Sequence, residues 1–186
     1  MARLLYSAIC SLDGYVADAS GDFGWAAPDD EVHAFVNDVE RPVGTYLYGR
    51  RMYDVMRFWD SPELAGSDSA VMRDYTAIWQ AADKVVYSTT LVDVTTRRTR
   101  LEREFDPATV RDLADAADRD VSVGGPGLAA HALRAGIVDE VSLFLVPAVV
   151  GGGTAALPDG VRLDLDLLDH RRFAGGVVHL RYVVRR

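Results

Sequence analysis

Apolar residues along this chain fall into short runs and periodic stripes, and their alternation predicts the elements. Leu4 to Cys10 is a compact apolar run that predicts a buried strand. It ends at Ser11-Leu12-Asp13-Gly14-Tyr15-Val16-Ala17, where Asp13-Gly14 signals a turn, and a loop rich in Gly and Asp follows to Ala27. Pro28-Asp29-Asp30-Glu31 then places proline and acids in a first helical turn, while Val32, Phe35, Val36 and Val39 repeat at i, i+3, i+4 and i+7. That spacing predicts one apolar helix face running to about Val39.

Thr45 to Tyr48 predicts a second strand ending at Gly49-Arg50-Arg51-Met52-Tyr53-Asp54, where the chain turns into a short helix. Ser67 to Ala82 is helical by composition, and Lys84 to Tyr87 predicts a third strand ending in Ser88-Thr89-Thr90. Thr95 to Glu104 alternates weakly and carries Arg97, Arg98, Arg100 and Arg103, which suits an edge strand with an exposed charged face. Asp106-Pro107 opens a helix to about Ala117 with Asp106 as N-cap. From Asp120 to Leu133 a β-branched run stops at Gly124-Gly125 and an Ala/Leu run begins after Pro126-Gly127, which reads as strand, tight turn, helix. Asp139 to Val150 reads as a central strand broken by Pro147 and Gly151-Gly152-Gly153. Leu163 to His170 and Val177 to Arg185, joined at Gly175-Gly176, predict a closing β-hairpin.

Strands that alternate with helices and end in a hairpin predict an α/β fold, with a mixed, mainly parallel sheet flanked by helices and an antiparallel C-terminal edge. One domain over residues 1–186 is expected, since 49% hydrophobic content supplies a substantial core.

Charge narrows the partners. A formal charge of -8 and a pI near 4.9 argue against nucleic acid or an anionic membrane as main partner, and leave room for a small anionic ligand bound through a local arginine cluster. Lys84 is the only lysine, which a compositional bias that also enriches Ala, Val, Asp and Gly explains. Cys10 is alone, and His33, His131, His170 and His179 have no metal-binding spacing, so neither a disulfide nor a metal site is expected. The N-terminal apolar run is too short to span a membrane and has no cleavage pattern, so a cytoplasmic protein is expected.

A helix opening on glycines has unpaired N–H groups and little bulk, which suits a phosphate, although this Gly-Gly-Pro-Gly is not the Rossmann fingerprint. In open α/β sheets ligands bind beyond the carboxyl ends of the strands. Three predicted strands end in groups able to meet phosphate: Gly49-Arg50-Arg51, Ser88-Thr89 and Gly124-Gly125-Pro126-Gly127.

With these stations in order, the chain resembles the dihydrofolate reductase superfamily, and within it the C-terminal reductase domain of the bifunctional riboflavin-biosynthesis protein. The resembling segments are Ser11 to Ala17, Gly49 to Asp54, Ser88-Thr89-Thr90-Leu91, Val123 to Gly127 with Ala132-Leu133, and Gly136-Ile137-Val138-Asp139-Glu140 leading to Pro147 and Gly151-Gly152-Gly153. The resemblance implies an NADPH-dependent reductase of a small heterocyclic substrate. Its nearest named activity is reduction of a ribosylaminopyrimidine phosphate, with dihydrofolate reduction as the runner-up. It implies a pyrophosphate between the Gly49 turn and the turn of Gly124, Gly125, Pro126, Gly127 and Leu128. The adenosine 2'-phosphate would fall on Arg50, Arg51, Ser88 and Thr89, and the loop through Ala17 would approach the nicotinamide. Relatives are commonly dimers, which implies a homodimer. Met52, where many relatives have threonine, and Pro126, where many have glycine, remove a hydroxyl and an N–H donor. They favour a third reading, a non-catalytic binding protein of the same fold.

The family's helix carboxylate, which helps protonate the substrate, falls on Asp30 counting from Trp25 and Pro28, and on Glu31 counting back from Phe35. At 100° per residue Asp29 lies nearest the apolar face and Asp30 almost opposite it. Asp13 is the other candidate acid, although Asp-Gly is first a turn. Trp25, Phe58 and Trp59 read either as walls of a flat pocket or as core, and His131 as solvent-facing.

Overall fold

The computed structural model describes residues 2–185. An eight-stranded sheet forms its centre, in the order β5-β4-β3-β6-β1-β7-β10-β9. The strands are β1 (Leu4–Ser11), β3 (Val43–Gly49), β4 (Asp83–Tyr87), β5 (Thr99–Glu102), β6 (Asp120–Gly124), β7 (Glu140–Val146), β9 (Leu165–Arg172) and β10 (Val178–Val184). From β5 to β7 all neighbours are parallel, and the hairpin of β9 and β10 joins β7 antiparallel. The expected mixed sheet and closing hairpin are therefore both present. Two short strands, β2 (Tyr15–Ala17) and β8 (Thr154–Ala155), pair outside the main sheet, where only a loop was expected.

Five helices cover the two faces: α1 (Asp30–Glu40), α2 (Arg50–Met56), α3 (Ala70–Ala81), α4 (Pro107–Ala116) and α5 (Pro126–Arg134). The period-two alternation of each strand sorts its side chains between those faces. Leu4, Leu47, Val85, Val121 and Val123 pack under α4 and α5, with Val110, Ala114, Ala129 and Leu133 opposite them. On the other face Tyr46, Tyr48 and Val86 meet Tyr75 and Trp79 of α3, while Val32 of α1 packs with Phe144 and Phe173.

Caps fall where the sequence places them, with small shifts. Asp29 rather than Pro28 begins α1, accepting the Val32 N–H at 2.9 Å, and Asp106 accepts the Thr109 N–H at 2.9 Å. The helix expected from Ser67 starts at Ala70, because the Ser69 hydroxyl caps it. Lys84 has a structural place that composition did not predict. It is 1% exposed, and its ammonium donates to the Trp79 and Ala82 carbonyls at 3.1 and 2.9 Å, closing the end of α3 onto β4.

Gly124, the last residue of β6, lies beside Tyr48 of β3 in register. A Cβ there would lie 2.4 Å from Tyr48 Cε1, and that ring is 1% exposed with its hydroxyl accepting the Trp79 indole N–H at 3.1 Å. The ring cannot move aside without breaking this bond. Gly124→Ala should therefore cost about 1 to 3 kcal/mol by overpacking, read as a lower urea midpoint at unchanged slope. An unchanged midpoint would show that the tyrosine yields freely.

Candidate active site

The carboxyl ends of β4, β3 and β6 lie side by side, so Ser88, Gly49 and Gly124 open onto adjacent turns. Gly125 turns the chain at φ 87, and a Cβ on it would stand 3.0 Å from Met52 Cβ, so the turn into α5 packs on α2. Gly49 faces Leu128, whose Cβ would be 3.8 Å from a Cβ at Gly49. The Leu128 side chain is buried in the core, leaving only its backbone to a ligand. Arg50 Nη1 donates to the Thr90 hydroxyl at 3.0 Å, while Ser88 Oγ accepts the N–H groups of Thr90 and Leu91 at 3.3 and 3.0 Å. Arg51 and Thr89 are exposed beside them.

Beyond these turns a cavity of about 540 Å³ is enclosed by α1, α2, α3 and the strands beneath. Gly124, Gly125, Pro126 and Ala17 all line it. Ala17 reaches the wall because β2 pairs with β8, and Gly153 lets the two approach: a Cβ there would lie 2.1 Å from the Ala17 carbonyl. The rest of the wall is mostly aromatic or thioether, with Tyr46, Tyr48, Met52, Met56, Trp59 and Tyr75 prominent. Phe58 and Trp59 are therefore pocket walls, whereas Trp25 lies outside the lining and donates to the Asp22 carbonyl at 3.0 Å.

None of the expected acids lines this cavity. Asp30 is exposed, because Asp29 as N-cap leaves it on the solvent side of the first turn. Glu31 accepts the Ala174 N–H at 3.0 Å and pairs with Arg171, so it ties α1 to the hairpin turn. Asp13 accepts from Val150 and Gly151 at 3.2 and 2.8 Å. The Ser11 hydroxyl and these two N–H groups hold it below the usual carboxylate range, so it has no proton to give at neutral pH. Asp13 and Glu31 thus fasten loops, while Asp30 faces solvent.

The acid on the wall is Glu40, the last residue of α1, 8% exposed. Burial pushes its carboxyl up to about 7, partly offset by the neighbouring Tyr46 hydroxyl, which lies close without completing a hydrogen bond of normal geometry. His33 joins it on the wall, held below its usual value by burial and packed edge-on to Trp59 at 6.0 Å. A signal for Glu40 was present in the sequence: it occupies the i+8 position of the stripe begun by Val32, in a last turn where the helix dipole disfavours an acid.

Comparison with known proteins agrees with this architecture. The family model described as the RibD C-terminal domain matches residues 2–179. An uncharacterised Bacillus subtilis protein, YyaP, is 25% identical over 184 residues, covering 97% of this chain and 94% of that one. A Shewanella sp. PV-4 protein, provisionally described as a riboflavin biosynthesis protein, superposes with a TM-score of 0.76 at 18% identity, covering 99% of each chain. A Thermotoga maritima diaminohydroxyphosphoribosylaminopyrimidine deaminase/5-amino-6-(5-phosphoribosylamino)uracil reductase superposes at 0.65 and 16% identity, covering 99% of this chain and 57% of that one.

The buried carboxyl makes stability depend on pH. Unfolded, Glu40 releases its proton near 4.5; folded, near 7, so the folded state binds more protons between these values. Its stabilising contribution is full below the lower value and is lost as pH rises toward the upper. Glu40→Gln should therefore gain on the parent across that window, by on the order of 1 to 3 kcal/mol. Urea denaturation of both proteins at acid and neutral pH checks this, and a constant difference would mean that Glu40 is solvated.

Proposed function

Because the chain belongs to the RibD C-terminal domain family, we propose that it is an NADPH-dependent reductase of a small heterocyclic substrate held in the cavity below α1, α2 and α3. Its family and fold are those of riboflavin-biosynthesis reductases. The reaction of the Thermotoga maritima relative is the nearest named activity. The observation that carries the reading is the adjacency of the three strand ends to one another and to that cavity.

The residues present fit the cofactor. A Cβ at Gly127 would meet nothing within 4 Å, so space remains at the first turn of α5, where N–H groups lack partners within the helix. Pro126 supplies no N–H, which leaves the donors after it. Arg50, steered by Thr90 next to Ser88 and Thr89, suits a 2'-phosphate, with Arg51 beside it. NADPH held there would supply a hydride. The chain's own part is to orient the substrate against the aromatic wall, exclude water, and give a proton from Glu40 to the nitrogen or oxygen on which charge develops.

Two variants test separate parts of this reading. Gly127→Asp puts an acid at a helix N-terminus, which favours α5 by about 0.3 to 1 kcal/mol, yet it repels a pyrophosphate. NADPH affinity, followed by cofactor fluorescence, should fall at least about tenfold while the fold is retained. Unchanged affinity would remove the cofactor from this turn. Glu40→Gln should keep NADPH binding and lose turnover by about 10²- to 10⁴-fold at neutral pH. Full turnover in that variant would assign the proton to water or to the substrate.

A further inference from the structure

The cavity wall carries no arginine or lysine among the described residues. Nearby cations lie outside that lining: Arg50 and Arg51 stand at the strand-end turn, and Arg3 and Arg181, in an adjoining depression that shares Glu40, pair with Asp120 and Glu140. Arg41 pairs with Asp38 and Asp74, Arg73 donates to the Ser67 carbonyl, and Arg57 lines a separate surface depression with Asp54 and Asp60. Away from the turn at Gly124 and Gly125, a phosphate entering this space would lose its water with no cation to receive it.

What the wall does offer is flat and apolar. Trp59 and Tyr75 stand edge to face at 4.6 Å, and Met56 and Met72 supply adaptable surface beside them. The rim is apolar too: Phe23, Val55 and Phe58 line the cavity and yet are 51%, 44% and 52% exposed. Large exposed apolar groups gathered at one opening mark a site that receives an apolar ligand. Polar side chains on the wall are few: Ser7, His33 and Ser122 join Glu40, and the Tyr46 hydroxyl, in a residue 2% exposed, stands beside Glu40 and Tyr75 without a hydrogen bond of normal geometry. A buried polar group without a partner calls for one from a ligand.

Resting on the reductase reading above, we propose that the substrate is an uncharged, flat, largely apolar molecule without a phosphate group, whose single hydrogen-bonding edge docks on Glu40 and Tyr46. The site thereby rejects phosphorylated compounds by leaving their charge uncompensated, a selection made by repulsion as much as by attraction.

Two matched pairs of planar compounds test this: riboflavin against its phosphate monoester, and menadione against a naphthoquinone sulfonate. Binding is read without cofactor by quenching of tryptophan emission, since Trp59 is on the cavity wall. The uncharged member of each pair should bind at least about tenfold more tightly, and Trp59→Phe should abolish most of the quenching. The proposal is overturned if a charged member binds as tightly as its partner, if neither uncharged compound binds, or if quenching survives in Trp59→Phe. An NADPH titration of the same protein keeps the two readings apart. Loss of cofactor binding with these preferences intact faults the reductase reading alone, and the reverse result faults the substrate class alone.

Discussion

Gly124 and Tyr48 share a space that holds one ring and no second side chain. With only hydrogen on Gly124, the Tyr48 ring lies flat across β6, stacks on Tyr46 with centroids 5.6 Å apart and planes 9° from parallel, and takes the Trp79 indole N–H. That layer joins α3 to the sheet and forms part of the cavity floor. The same glycine ends β6 and lets the chain turn at Gly125 into α5. One close approach therefore seats the tyrosine layer, and the next glycine, Gly125, lets the α5 turn pack on Met52 of α2.

Among the described residues, no arginine or lysine stands on the cavity wall. At the amino ends of the strands Arg3 pairs with Asp120 and Glu140, and Arg181 donates to Glu140 at 2.8 Å, which ties β1, β6, β7 and β10 together. Such clustered pairs immobilise shared side chains once rather than separately. These two arginines are thus used at the far end of the sheet, while Arg50 and Arg51 stand at the strand-end turn after β3. Across the cavity the sheet presents tyrosines and serines, with Glu40 as the one buried acid on the wall. An acid in that setting is raised toward neutrality by desolvation, a condition suited to proton donation.

Much of this architecture was legible along the chain, because hydrophobic period and capping are local. The run from Leu4, the stripe from Val32, the cap Asp106, the glycine turn at Gly124 and the hairpin at Gly175-Gly176 all depend on residues a few positions apart. That several strand ends open on one edge also followed, since parallel units linked by helices place their carboxyl ends together, whereas the strand order came from the fold. The pairing of β2 with β8 did not, because it joins residues far apart in sequence and neither strand is long enough to carry a pattern.

The sequence by itself determined the main strands and helices, the mixed sheet with its hairpin, and the three strand-end turns, because each is written in contiguous residues. Only the tertiary structure decided which acid lines the cavity. Asp30, Glu31 and Asp13 differ little from Glu40 as letters, yet one faces water, two clasp backbone N–H groups, and Glu40 alone closes a cavity. The chemistry of a carboxyl is set by its solvation and its neighbours, and those come from distant segments that meet only when the chain is folded.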